Sequence, residues 1–569
     1  MQSHVEPHAE VHVTQAHKMR YSTETTQCVI MHTKNLLLAV LETAATKREA
    51  KQYIQKYGSQ TLRKPVCIIR ISEYNSGLNL LNSLNPSNSL NPSNALNSSL
   101  GKTISYMQTL GAHPVILFDG NRHIQQFLRD SSLSLKDCQR DLWAVSNQLA
   151  SHIHANRIPT MSLSTPFELS AAEGVQLNQK WLKESLDLDR VPLLLPMLYD
   201  QDSNDQKLYD SFSACETIAK LLPDPYYADK IIFIDELGGL PSTRRKNAAH
   251  VLVNLQQEYG EIGAEIRLSD MPLSHKVRHL QNLEAMQKIL SHCETNTTGL
   301  ITSSNAGTSE LKRNPLIHNI ITDRPMISPS LPLELEKTQL KTSLLRNGLQ
   351  VYVRTADGAN GPAGAGSLDD SCNTCNQFSN YYPSINESKT IVGDSAGQSS
   401  AKSSTVKGLD LRREDKVGNF NLTKFKKLME NSFKKEFDID HYLARVHESV
   451  AAVIVVGDYA GCALITWEIS PLTGRKVVYL DKLAVDPLAQ GAHGVADIML
   501  IQMIRRLFPD EVLWRSRKGN KVNKWYFERS NGHMLLKDSI WTMFWISKAK
   551  IPPVDEYKAI CSNIEASLR

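Results

Sequence analysis

The chain has 569 residues, more than one ordinary core accommodates, so we expect two or three domains joined by linkers. Its 41% hydrophobic and 22% charged residues are typical of a soluble globular protein, and a net charge of +5 does not indicate a nucleic-acid partner. No apolar run approaches the roughly 18 residues of a membrane span, so membrane insertion is not expected. The nine scattered cysteines favour a reducing compartment.

The amino-terminal segment, residues 1–25, is rich in His, Thr and Ser and carries Lys18 and Arg20. Mitochondrial transit peptides are basic and poor in acidic residues, and Glu6 and Glu10 depart from that pattern. The composition alone therefore supports a transit segment only weakly.

Two low-complexity segments interrupt the chain. Residues 82–100 contain two copies of NPSN[SA]L, and their Asn, Pro and Ser content predicts a surface insertion over 76–100 without helix or strand. Residues 355–405 are rich in Gly, Ser and Ala, which predicts a disordered linker between domains. The linker holds Cys372 and Cys375, and this lone C-x-x-C favours two solvated thiols over a zinc site, so no metal is expected.

The segment before the linker alternates short apolar runs with helical patterns. Helices are predicted over 131–156 and 245–259. The runs rich in Val and Ile predict strands, in KPVCIIRIS, HPVILFDG, KIIFIDELGG and LQVYVRT. This alternation predicts a largely parallel α/β sheet domain over residues 26–354.

The segment after the linker predicts a mixed α+β domain over 406–569. A helix is expected over 423–437, and the long amphipathic pattern in GVADIMLIQMIRRLF predicts a second helix that ends before Pro509. Strands are predicted in AAVIVVG, AGCALITWEIS, VVYLDKLAV, EVLWRSR and SIWTMFWIS.

Candidate chemistry is concentrated between VVYLDKLAV and WYF. A turn of small residues from Gln490 to Gly494 precedes the long helix, and such a turn suits a pyrophosphate, although most such turns only connect elements. Strand alternation places Arg515 and Arg517 on one face, where they can bind two carboxylates or lie as solvated surface arginines. Asn520 can orient an amine and Tyr526 can donate a proton, although an aromatic run such as WYF is more often part of a core.

The combined string YLDKLAV…QGAHGVAD…LWRSR…N…N.WYF resembles the fungal mitochondrial N-acetylglutamate synthases, also called amino-acid acetyltransferases. The strand, turn and helix look like motif A of the GNAT fold, although one extra residue and His493 depart from the usual spacing. Upstream, KIIFIDELGGLPSTRRKNAAHVLVNLQQEY and NPLIHNIITDRP resemble the amino-acid-kinase-like domain of the same enzymes. No intact phosphate loop or catalytic lysine pattern is found there, so kinase activity is not expected.

The resemblance implies transfer of acetyl from acetyl-CoA to the α-amine of L-glutamate, in the mitochondrial matrix, as the first step of arginine biosynthesis. It also implies inhibition by L-arginine through the kinase-like domain, homo-oligomer assembly and a possible association with the N-acetylglutamate kinase of the pathway. Catalytic roles fall on Tyr526 and Asn520. Glutamate binding falls on Arg515, Arg517, Tyr479 and Lys435, with Lys434 the alternative to Lys435, and acetyl-CoA binding falls on Leu483, Val485, Gln490, Gly491, Gly494 and Val495.

Two alternatives stay open. The chain could be a GNAT enzyme for another amine, such as a polyamine or a protein amino terminus, but paired arginines favour an acidic acceptor. It could also be a non-catalytic regulatory subunit that senses arginine, because the match to motif A is irregular.

Overall fold

The computed structural model describes residues 47–58, 62–72, 92–120, 134–243, 249–307, 314–331, 341–356, 409, 411, 420–490, 494–537 and 539–566. The predicted transit segment, residues 357–405 of the predicted linker, and Cys372 and Cys375 lie outside these described residues. The chain forms two compact units. The first comprises Met1–Gly238 and His292–Met326, and the second comprises Gly239–Ser291 and Ile327–Arg569.

Helices and strands are numbered here in chain order. Up to residue 234 they are α1 (Lys47–Tyr57), β1 (Lys64–Ile71), α2 (Pro92–Thr109), β2 (His113–Phe118), α3 (Leu135–His154), β3 (Thr160–Leu163), β4 (Phe167–Ser170), β5 (Gly174–Leu177), α4 (Gln179–Asp187), β6 (Val191–Leu194), β7 (Met197–Asp200), β8 (Asp205–Leu208), α5 (Ser211–Lys220) and β9 (Tyr226–Ile234). Up to residue 355 they are β10 (Leu252–Asn254), α6 (Leu255–Leu268), α7 (Leu273–His292), β11 (Thr298–Thr302), α8 (Ser304–Gly307), α9 (Pro315–Thr322), β12 (Ser343–Arg346) and β13 (Val351–Thr355).

The carboxyl-terminal elements begin at residue 422. They are α10 (Leu422–Phe433), α11 (Ile439–Val446), β14 (Val450–Val456), β15 (Gly461–Ile469), β16 (Lys476–Val485), α12 (Val495–Ile501), which continues as a π-helix over Gln502–Leu507, β17 (Glu511–Arg517), α13 (Asn523–Phe527), β18 (Gly532–Leu535), β19 (Trp541–Ser547) and α14 (Val554–Asn563).

The first unit contains a parallel sheet in the order β11-β9-β1-β2-β6-β3. Strand β1 is buried along nearly its whole length, as expected of a parallel strand covered on both faces. A smaller sheet in the order β5-β4-β7-β8 completes the strands described in this unit. The parallel α/β sheet predicted for the amino-terminal part is therefore confirmed.

The second unit is built on a seven-stranded sheet in the order β13-β14-β15-β16-β17-β19-β18. Neighbouring strands are antiparallel except β16 and β17, which run parallel. One face packs against α12, and the other packs against α10, α11 and α14. The mixed α+β domain predicted after the linker is confirmed.

Three local predictions differ from the structure. Helix α2 begins at Pro92, so residues 92–100 are helical although their Asn and Ser content predicts open chain, and Leu100 at the helix centre is buried. Residues 252–254, inside the helix predicted over 245–259, form strand β10, and the helix runs from Leu255 to Leu268. The strand in LQVYVRT exists as β13, but it pairs antiparallel with β14, because alternation reveals a strand and not its partner.

Candidate active site

Most of the site residues predicted from sequence lie on β16 and β17 or directly after them. These two parallel strands are paired only at Tyr479 and Leu513. Beyond that pair, β16 continues to Val485 and β17 continues to Arg517 as neighbours in the sheet without further paired residues. A cleft that opens from the carboxyl ends of parallel strands is a common position for a ligand.

A bulge in β16 determines which side chains face α12. In the pairing of β15 with β16, Leu464 lies opposite Lys482 and Ile465 lies opposite Leu480, so Asp481 is the extra residue. One extra residue inverts the alternation of the side chains that follow. As a result Leu480, Leu483 and Val485 all pack on the core face that contains Val495.

Gly494 is the residue directly before α12, and its φ of 64° lies in the left-handed region that favours glycine. The first amides of a helix lack intrahelical acceptors, so this end suits an anion. Gln490 is exposed, and its side chain donates a hydrogen bond of 3.1 Å to the carbonyl of Val485, which holds the turn against the end of β16. Gly491, also predicted to bind acetyl-CoA, lies outside the described residues.

Strand β15 allows α12 to approach closely because it has glycine at position 461. A Cβ placed on Gly461 would lie 2.4 Å from Cγ1 of Val495 and 3.0 Å from Cε of Met499. The position of the helix over the sheet therefore depends on the absence of a side chain there.

Arg515 and Arg517 project from the same face of β17, as the alternation predicts, and both guanidinium groups lie over the ring of Trp541. Arg515 is half-buried and donates hydrogen bonds to the carbonyls of Cys561 and Ile564 at the end of α14. Arg517 is exposed. The two arginines therefore differ, since Arg515 anchors a helix and Arg517 points to solvent.

Tyr526 and Asn520 lie on the opposite face of the sheet from the two arginines. Tyr526 is buried against Trp514 and Phe544, with ring centroids 5.4 Å away in both cases. Burial raises the pKa of Tyr526, so its hydroxyl stays protonated at neutral pH. The side-chain amide of Asn520 donates a hydrogen bond of 2.9 Å to Ser516, which also faces that side.

Tyr479 is buried in the core formed by the sheet and α14, on the face that carries the arginines. Burial raises its pKa well above the usual value. Lys434 ends α10 in the left-handed conformation and is exposed, whereas Lys435 is half-buried in the turn that follows. The structure thus places Tyr479 in the protein interior and both lysines in a loop.

A buried ionic cluster beside Tyr479 was missed by the sequence reasoning. The Asp481 carboxylate accepts hydrogen bonds from Lys482 and from the Tyr442 hydroxyl, both at 2.6 Å, and from Arg445. Burial alone would raise the pKa of Asp481, but Lys482 and Arg445 lower it to about 2. Burial lowers the pKa of Lys482 despite this pairing. The signal in the sequence was an Asp-Lys pair inside an otherwise apolar strand, which is costly without partners.

The charges on this face favour an anionic ligand. It carries the cations Arg445, Lys482, Arg515 and Arg517 beside the carboxylates of Asp481 and Glu468. Glu511, at the start of β17, lies on the same face and is paired with Arg475 at 2.7 Å. A cluster of arginine and lysine side chains at this face suits a molecule with carboxylates.

Neither a membrane-spanning helix nor a metal site occurs in the part of the chain that the structure describes. None of the helices that the structure describes is long and apolar enough to cross a bilayer. No group of three or more His, Cys, Asp or Glu side chains suited to a metal ion occurs among the described residues.

Comparison with known proteins defines the class. Residues 412–566 match the family model described as the N-acetyltransferase of N-acetylglutamate synthase. The second unit therefore carries an N-acetyltransferase domain, and acetyl-CoA is the acyl donor that this class uses.

Most of the chain is similar to fungal enzymes. It is 31% identical to the mitochondrial amino-acid acetyltransferase of Yarrowia lipolytica, over 94% of this chain and 93% of the relative. It is 30% identical to that of Kluyveromyces lactis, over 90% and 91%. The chain belongs to the family of mitochondrial amino-acid acetyltransferases and is an acyltransferase.

One solved structure shows a remote similarity to this chain. It is N-acetylglutamate synthase from Neisseria gonorrhoeae complexed with coenzyme A and N-acetyl-glutamate, with 12% identity and a TM-score of 0.43 over 88% of this chain and 98% of that one. This likeness is too remote to define any residue of the present site.

Proposed function

We propose that this chain transfers the acetyl group of acetyl-CoA to the α-amine of L-glutamate and produces N-acetylglutamate and free CoA in the mitochondrial matrix. One observation carries the proposal. Where β16 and β17 continue beyond their single pair, the amino-terminal end of α12 lies on one face of the sheet and the arginine pair lies on the other. Such a site suits a nucleotide thioester and a dicarboxylic amino acid.

Acetyl-CoA would lie along the α12 face. Backbone groups of Leu483 and Val485 would hold the pantetheine arm, and the turn through Gln490, Gly491, Gly494 and Val495 would hold the pyrophosphate. Because backbone amides would bind the pyrophosphate, binding would depend mainly on the position of the helix start and less on any particular side chain.

Glutamate would lie on the arginine face. Arg517 is the exposed member of the pair and would bind one carboxylate, while Lys482 and Arg515 would attract the other. Tyr479, buried behind them, would shape the floor, and Lys435 would contribute from the loop after α10. A polyamine acceptor would be repelled by the same charges.

The reaction requires no covalent enzyme intermediate. The deprotonated amine attacks the thioester carbonyl, the carbon–sulfur bond breaks, and the departing thiolate accepts a proton. Tyr526 is protonated at neutral pH and would donate that proton, while Asn520 would help to orient the reacting groups.

Regulation and assembly form a second part of the proposal. The resemblance of the sequence to the fungal N-acetylglutamate synthases implies a step of arginine biosynthesis, so L-arginine is the expected inhibitor, acting through the first unit. We also expect a homo-oligomer and association with the N-acetylglutamate kinase of the pathway. These expectations rest on the resemblance.

The test is release of CoA by the purified full-length chain with glutamate, aspartate, glycine and spermidine, each with and without arginine. Glutamate should be the best acceptor, and arginine should inhibit. If aspartate or glycine serves equally well, the acceptor assignment is wrong. If no acceptor releases CoA, the proposed reaction is wrong, and the alternative of a regulatory subunit is favoured. If arginine has no effect, only the regulatory part fails.

A further inference from the structure

A buried polar cluster joins the first turn of α12 to the end of α13. It consists of Asp497 on α12, Arg529 just after α13, and the hydroxyls of Ser328 and Ser330, all within the second unit. Arg529 is almost completely buried, with 2% of its side chain exposed, which is rare for an arginine without a specific role.

Both serines bridge the charged pair. Arg529 donates from Nε to Ser330 at 2.6 Å and from Nη2 to Ser328 at 2.5 Å. Each hydroxyl donates in turn to Oδ1 of Asp497, Ser328 at 3.0 Å. The guanidinium also lies 3.6 Å from that carboxylate oxygen. A hydroxyl can accept one hydrogen bond while donating another, so each serine connects the Arg529 guanidinium to the Asp497 carboxylate.

Arg529 is itself held by α13. Its Nη1 donates to the carbonyl of Trp525 at 2.9 Å and to the carboxylate of Glu528 at 3.1 Å, so the guanidinium is shared between Glu528 and Asp497. The guanidinium also lies 4.3 Å from the centre of the Trp525 ring. Trp525 precedes Tyr526, the proposed proton donor, and their rings touch at a centroid distance of 5.5 Å. The cluster therefore connects the helix start that would bind pyrophosphate to the helix that carries Tyr526.

The charge of Asp497 has two opposite effects at the start of α12. A carboxylate in the first turn stabilises a helix, but it would repel a pyrophosphate bound to the same turn. An adjacent guanidinium and two hydroxyl donors offset this charge and turn the carboxylate toward the protein.

We propose that Arg529 is a positioning residue for acetyl-CoA binding, which neutralises Asp497 and, through Ser328 and Ser330, holds the start of α12 relative to Tyr526. This inference rests on the proposed use of acetyl-CoA. Removing Arg529 leaves an uncompensated carboxylate at the helix start, so CoA binding weakens while glutamate binding does not.

The test compares Arg529→Gln, Asp497→Asn and the double variant in the full-length chain. Arg529→Gln should raise the KM for acetyl-CoA and the Kd for CoA about ten-fold, which equals about 1.4 kcal/mol. The KM for glutamate should stay within about two-fold. Adding Asp497→Asn should restore most of the affinity for CoA, because the repelling charge is then gone. Arg529→Lys retains the charge, so its KM for acetyl-CoA should lie between those of Arg529→Gln and the wild type.

The inference is overturned if both KM values rise together, or if the double variant binds CoA as weakly as Arg529→Gln. If Arg529→Gln does not fold, Ser328→Ala with Ser330→Ala weakens the same bridge, and the same split between the two KM values is required. Absence of acetyl transfer in the wild type, together with absence of CoA binding, would instead refute the proposed function.

Discussion

Replacing Gly461 with alanine tests how closely the acetyl-CoA helix must approach the sheet. The new methyl group would lie 2.4 Å from Cγ1 of Val495, whereas methyl carbons pack at about 3.5–4.0 Å. Since Val495 is in the first turn of α12, the helix start must move by about 1 Å or remain strained at a cost of about 1–3 kcal/mol. A displacement of that size at a binding element can reduce kcat/KM roughly 100-fold.

The assay is steady-state acetyl transfer together with the melting temperature. We expect the KM for acetyl-CoA to rise more than the KM for glutamate, because the arginines lie on the other face of the sheet. Gly260→Ala is the matched control, since a Cβ there meets nothing within 4 Å and it lies in α6. Adding Val495→Ala to Gly461→Ala should restore part of the loss. An unchanged KM for acetyl-CoA with an unchanged melting temperature would show that α12 does not depend on this contact.

Other substitutions separate the remaining roles. Tyr526→Phe should lower kcat roughly 100-fold or more with little change in CoA binding, and an unchanged kcat would exclude Tyr526 as the proton donor. Arg517→Ala should raise the KM for glutamate roughly ten- to 100-fold without lowering the melting temperature. Arg515→Ala should lower the melting temperature, because it removes the hydrogen bonds to the end of α14. Equal effects of the two substitutions would contradict this division of roles. Asp481→Asn should lower the free energy of unfolding by about 2 kcal/mol near neutral pH, since folding lowers the pKa of this carboxyl from 3.8 to about 2. The stabilisation by the ionised carboxyl is present above about pH 4 and is lost as the pH falls toward 2. At pH 3 it should be roughly half as large as at pH 7. Chemical unfolding of the wild type and the variant at pH 7 and pH 3 measures this difference.

Most strands of the second unit could be predicted from the sequence because each is a short apolar run bounded by turns. Strand β17 also had the correct alternation, with Arg515 and Arg517 on one face and Trp514 on the other. The partner of β13 could not be predicted, since an apolar strand fits either sheet. Helix α2 could not be predicted either, because packing at Leu100 outweighs the weak helix propensity of Asn and Ser.

The sequence indicates candidate site residues, whose roles stay predictions, but it does not indicate how they are arranged. No pattern along the chain indicates that Tyr526 and the arginine pair lie on opposite faces of one sheet. The bulge at Asp481 was also hidden, because strict alternation through YLDKLAV would place Leu483 and Val485 away from α12. The cluster of Arg529, Asp497 and two serines joins residues about 200 positions apart, which no local pattern reveals.

The most direct test of the account is to incubate the purified chain with acetyl-CoA labelled in the acetyl group and with unlabelled glutamate, and to identify the product by mass spectrometry. Labelled N-acetylglutamate should accumulate in step with free CoA, and Arg517→Ala should require much more glutamate for the same rate. Labelled acetate without N-acetylglutamate, or faster acetylation of an amine that lacks a second carboxylate, would contradict the central claim.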